Sequence, residues 1–190
     1  MTTVEVAGVR VAVSANRQPV VDGAALGLLP WGPATGAAPA GRSGLAGGGA
    51  RVRVIADVDY QQADYVTAGL LRTDPVDAVV AGMPLLAAQP GPWIGPTVLS
   101  TREGLAYTRD PDRDILGVVG ADEMRVAAGA ARLVREITRR HLAAAGWVMV
   151  RGAAAVRDGQ AVVVIGPAAL AGEVGVRLAR HPGWQLLAVD

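Results

Sequence analysis

The chain has 190 residues, 51% of them hydrophobic and 18% charged, and its 18 basic residues, all Arg, stand against 17 acids for a net charge of +1. That length suits one domain or a domain with a small appendage, and the charge balance leaves no basic excess for binding nucleic acid. The absence of Lys excludes Schiff-base chemistry and an intact Walker A loop, and the absence of Cys excludes disulfides, thiolate nucleophiles and cysteine-ligated metal.

The opening MTTVEVAGVRVAVS has neither the basic region nor the continuous apolar core of a signal peptide. No run reaches the ~18 apolar residues of a membrane helix, so a soluble cytoplasmic protein without membrane contact is expected. Val4 to Val13 alternates around Gly8 and predicts a hairpin. Residues 23–50 carry nine Gly and three Pro and read as a Gly/Ala/Pro-rich loop, anchored by Leu28, Leu29 and Trp31.

Arg51 to Val58 alternates with period two and predicts a strand. Tyr60 to Thr73 predicts a helix with Ala63, Val66, Leu70 and Leu71 on one face. Val76 to Leu86 is apolar without a clear period. Gln89 to Thr97 holds three Pro and two Gly and reads as loop. Val98 to Tyr107 and Asp114 to Val119 read as strands flanking the turn RDPDRD, whose acids lack the spacing of a calcium loop.

Asp122 to Ala145 is the clearest helix. Asp122 serves as N-cap, Val126, Ala130, Leu133, Val134, Ile137 and Leu142 form its apolar stripe, and Gly146 suits a left-handed C-cap. His141 lies among Arg residues at the negative helix end and reads as structural. His181 is 40 residues away, which argues against a local His metal cluster. WVMVRGAAAV then reads as an apolar strand, Asp158-Gly159 as a hairpin turn and AVVVI as a buried strand. A helix follows with Leu170, Val174 and Leu178 on one face, closed by Pro182-Gly183, and Trp184 to Val189 forms a final strand. Strand, glycine turn, helix and strand make a βαβ unit, the setting in which α/β proteins hold phosphate on helix-start amides.

The helix ending HLAAAG, the hairpin VRGAAAVRDGQAVVVIGP, the helix end LARHPGW and the strand end LLAVD resemble the P-loop region of HPr kinase/phosphorylase-like proteins. The resemblance covers about residues 121–190, roughly a third of the chain. It implies an α/β fold with amino-terminal strands (1–120) followed by a kinase-like unit (121–190). Carried over by position, Gly166 and Pro167 open the phosphate loop. Ala171, Gly172 and Glu173 then stand where Gly, Lys and Ser/Thr belong. Arg151 stands at the family's His position, and Asp190 at its acidic strand end.

Loss of lysine, hydroxyl and glycine in one loop implies a degenerate, pseudokinase-like site with no confident catalytic residue, no metal and no cofactor. The expected role is a non-catalytic accessory, scaffold or peptide-binding subunit. Two alternatives stay open: an ATP- and magnesium-dependent serine kinase with an unorthodox phosphate site, and a purely structural oligomer. Family kinases continue beyond the acidic strand. Either a protein or peptide partner, a second copy or the amino-terminal strands are therefore expected to complete the sheet, or the chain is a fragment of a longer one.

Overall fold

The computed structural model describes residues 1–6, 9–27, 51–80, 83–88, 97–110, 112–148, 150 and 152–189. The elements are β1 (Thr2–Val6), β2 (Val9–Ala15), α1 (Gln18–Gly27), β3 (Arg51–Val58), α2 (Tyr60–Leu71), β4 (Val76–Val80), β5 (Met83–Ala88), β6 (Thr97–Ser100), β7 (Leu105–Asp110), β8 (Ile115–Gly120), α3 (Glu123–Ala144), β9 (Gly152–Arg157), β10 (Gln160–Ile165), α4 (Ala168–Ala179) and β11 (Gln185–Val189). The α/β class is as expected. The chain divides into two compact units, the first ending at Thr138 and the second beginning at Arg139. The division falls inside α3. The stripe of α3 that carries Val126, Ala130 and Val134 belongs to the same core as Val11, Val54 and Val118, which ties it to the amino-terminal sheet.

The amino-terminal unit is built on an eight-stranded mixed sheet in the order β1-β2-β3-β8-β7-β6-β5-β4. Strands β2, β3 and β8 run parallel, with Val13 opposite Val54 and Ala56 opposite Val118. The other pairs are antiparallel. Successive strand side chains alternate between faces. Val54, Ala56 and Val118 therefore meet α1 and α3, in one buried core with Val20, Ala24, Val126, Ala130 and Val134. On the opposite face, Leu99, Ala106 and Val119 pack under Leu70 of α2.

Local expectations are corrected or completed here. Residues 23–27 of the expected loop are the last turn of α1, because Gly23 lets the helix approach Ala127: an added Cβ would sit 3.0 Å from the Ala127 Cβ. The rest of that loop, residues 28–50, lies outside the described residues. The single strand expected over 98–107 is two strands, broken at Thr101–Gly104, where Gly104 takes φ +65°. The unclassified apolar stretch from Val76 is the β4–β5 hairpin, and Leu71 is exposed while Leu70 is buried.

The carboxy-terminal unit is a three-stranded sheet in the order β10-β9-β11, with α4 against it. Both β10 and β11 pair antiparallel to β9, so they run parallel to each other with β9 between them. The βαβ unit is thus split by the hairpin strand. Asp158 and Gly159 both take positive φ, 49° and 74°, as a two-residue hairpin turn requires. Strand β9 begins only at Gly152, and Trp147 and Val148 are exposed. AVVVI is not buried: as an edge strand it leaves Val162, Val163 and Ile165 exposed. The expected apolar face of α4 is also rotated. Ala171 and Gly175 face the sheet, while Leu170 and Val174 are exposed. Small residues win because an α4 Cβ at position 175 would lie 2.7 Å from the Ala153 Cβ of β9.

Candidate functional site

The residues singled out for phosphate binding fall in the β10–α4 connection. Strand β10 ends at Ile165 and α4 starts at Ala168, so only Gly166 and Pro167 lie between them. Pro167 is the N-cap residue and makes no side-chain cap hydrogen bond, and the Ala171 amide donates to the Pro167 carbonyl at 3.0 Å. Ala171, Gly172 and Glu173 are therefore helical and not part of a loop. A Walker-type cradle needs several consecutive amides turned inward before the helix begins. A two-residue turn supplies no such ring.

Glu173 is turned to its own helix, where its Oε1 accepts from Arg177 Nη2 at 2.5 Å. Gly166 is open, with no atom within 4 Å of an added Cβ. The described residues here offer neither lysine nor hydroxyl, so they do not fit a magnesium-bound triphosphate. Arg151 and Asp190 lie outside the described residues. No group of three or more His, Cys, Asp or Glu among the described residues is placed to hold a metal ion, and none of their helices is long and apolar enough to cross a membrane.

In open α/β sheets ligands favour the carboxyl ends of parallel strands, and here those ends are closed by the chain's own side chains. Asn16, following β2, donates Nδ2 to the Val58 carbonyl at 3.2 Å and accepts the Val58 amide at 3.0 Å. Arg17 pairs with Glu123 at 2.6 Å. Asp59 accepts the Gln62 amide and Asp122 accepts the Arg125 amide, each at 2.9 Å, which caps α2 and α3. Two helix starts that could receive an anion already hold carboxylates.

A recess of about 350 Å³ opens instead on the α2 face of the amino-terminal sheet. Ile55 and Asp57 of β3, Thr108 of β7, Ile115 and Gly117 of β8, and Gln62 of α2 line it. It exists because α2 covers the sheet around Leu99, Ala106 and Val119, while Gly117 puts no side chain into the space beside it. A Cβ at Gly117 would stand 2.3 Å from Thr108 Oγ1. These residues carry one signal in the sequence, a glycine within an apolar strand, and it is common to bulges and close approaches alike.

No family model matches the chain, and neither a curated protein nor a solved structure does.

Proposed function

We propose that this chain is a non-catalytic accessory: an HPr-kinase-like scaffold or peptide- and protein-binding subunit without ordinary ATP binding. The observation that carries this reading is the two-residue turn between β10 and α4. Phosphate recognition in the kinase-like pattern depends on a longer loop with a lysine, and the chain has neither at this place. The exposed apolar side chains of the carboxy-terminal unit also support a docking role. Val163 and Ile165, which share one face of β10, are 55% and 67% exposed, and neighbouring exposed apolar side chains favour an interaction site.

Calorimetric titration of the full chain with magnesium–ATP tests the reading. Affinity no tighter than about millimolar is expected, since the turn's own residues, Gly166 and Pro167, carry no charge to offset phosphate repulsion. Micromolar binding would overturn it in favour of a serine kinase with an unorthodox site. Sedimentation in the same buffer tests assembly. A mass above 19.4 kDa, or a peptide partner that perturbs the α4 and β10 amides, fits the docking role; a monomer that engages nothing through these elements counts against it.

A further inference from the structure

Resting on the docking role proposed above, we infer that β10 is covered by a second copy of this chain. Two β10 strands pair antiparallel, edge to edge, about a two-fold axis at Val163, and so join two three-stranded sheets into one.

Among the described edge strands, β10 is the one left open. Strand β1 carries Glu5, β4 carries Asp77, and the pairing of β11 with β9 shifts register between Leu186 and Ala188. Charges and bulges of this kind keep strand edges from pairing. Strand β10, QAVVVI, has no charge, no Pro and no shift in register. Its two-residue turn makes Arg157 and Gln160 a hydrogen-bonded pair, so residues 160, 162 and 164 turn their amides and carbonyls to β9. Those of Ala161, Val163 and Ile165 point outward, a row of alternating donors and acceptors.

This row is complementary to itself. With Val163 opposite Val163 of the second copy, Ala161 stands opposite Ile165, and the outward groups of all three residues meet in hydrogen-bonded pairs. Apolar side chains then meet on both faces of the joined sheet. Val163 and Ile165 lie on one and Val162 on the other, all exposed in the single chain. The same register sets Gly159 opposite Pro167, which brings the Asp158 turn of one copy beside the start of α4 in the other. That start has no acidic residue in its first turn and no side-chain cap. The carboxylate it meets is accessible, since Asp158 makes only an exposed contact to Arg157 at 3.2 Å. An unrelated extended segment would gain the backbone bonds without this charge match, which favours a second copy.

Sedimentation of the full, unaltered chain should show a reversible dimer with a dissociation constant on the order of 100 μM, as suits a small interface. The chain has no Cys, so single thiols report the register. Val163→Cys sets two thiols opposite each other with Cα atoms about 5.5 Å apart, within disulfide range. Ala161→Cys sets them about 13 Å out of register along the strands. Under diamide, the first should cross-link about tenfold faster than the second. Val163→Lys, at an exposed position, opposes like charges and should weaken the dimer about tenfold. Asp158→Asn keeps the turn, since Asn also accepts positive φ, and should weaken it about threefold. A chain that stays monomeric at about 1 mM would overturn the inference whether or not any variant folds. So would equal cross-linking of the two thiols, or a dimer indifferent to Val163→Lys. A dimer held through other elements, or a peptide taken up at β10 by a monomer, would also overturn it while leaving the docking role. Micromolar magnesium–ATP binding would instead strike the accessory reading and leave the dimer.

Discussion

Arg132 on α3 grips Glu103, in the turn between β6 and β7, through both terminal nitrogens: Nη1 lies 2.6 Å from Oε2 and Nη2 lies 2.8 Å from Oε1. Nη1 also donates to the Tyr107 hydroxyl at 2.9 Å, and Arg125 donates to the Glu103 carbonyl at 3.0 Å. The turn, which the residue pattern alone reads as continuous strand, is therefore fastened to α3 by a forked ion pair. The Arg132 hydrogen bond holds the Glu103 carboxyl below its ordinary value of 4.5, against an opposing effect of burial. Burial pushes the Tyr107 phenol above its ordinary value.

Glu103→Gln should lower stability at neutral pH by about 1 kcal/mol, more than an ordinary surface pair because the fork is bidentate and partly buried. A folded-state pKa below the unfolded one means that the contribution is full above the unfolded value. It is lost as pH falls through the folded value. Urea titrations should therefore show wild type and variant converging below about pH 4. A stability difference that stays constant from neutral to about pH 2.5 would show that the charge on Glu103 contributes nothing.

Asn16 takes the place of a missing ladder rung. Strand β2 stops at Ala15 while its parallel partner β3 runs on to Val58, and the Asn16 amide group satisfies both the donor and the acceptor of Val58. Asn16→Ala should cost about 1–2 kcal/mol. It should also speed hydrogen exchange at the Val58 amide more than at Val54, which lies deeper in β3. Unchanged exchange at Val58 would mean that water replaces the side chain without loss.

Where local chemistry decides structure, the sequence was readable. Strand β3 has the expected limits of Arg51 and Val58 because its alternation is unbroken. The cap at Asp122 and the positive φ of 82° at Gly146 bracket α3 as expected. What escaped depends on partners distant in the chain. Insertion of β8 beside β3 is a pairing across 62 residues that no local pattern encodes. The apolar run of β10 signals burial only if something covers both faces, and at a sheet edge it does not. The buried face of α4 differs from the expected one because Ala171 and Gly175, weak in any hydrophobic pattern, are the residues small enough to lie on β9. The candidate site shows the same division. Glycine and lysine content could be read directly, but the shortness of the β10–α4 turn could not.

Close approach of α4 to β9 gives a paired test of that packing. Gly175→Ala would place a methyl 2.7 Å from the Ala153 Cβ and 3.4 Å from Leu186 Cδ1. The helix-propensity gain of about 1 kcal/mol is opposed by overpacking of about 1–3 kcal/mol, so net destabilisation of about 1 kcal/mol is expected. Gly166→Ala meets nothing within 4 Å and should be neutral or stabilise by up to about 0.5 kcal/mol. Denaturant midpoints in the reverse order would mean that α4 sits farther from β9 than the structure places it.

Restoring the missing lysine and hydroxyl tests whether the turn or the side chains forbid phosphate. In Gly172→Lys with Glu173→Ser, both new side chains stand inside α4, where backbone amides turn to carbonyls four residues back. The Ala171 amide already bonds Pro167 in this way. No inward ring of amides is available for the lysine to complete, so affinity for inorganic phosphate and for magnesium–ATP should change by less than about twofold. The lost Glu173–Arg177 pair spans one helical turn on an exposed surface, and its removal should cost no more than about 0.5 kcal/mol. Near-unchanged stability would assign the missing affinity to backbone geometry and not to unfolding. A tenfold gain in phosphate affinity would instead show that the first turns of α4 unwind into a cradle once the charge is supplied, and the two-residue turn would no longer support the accessory reading.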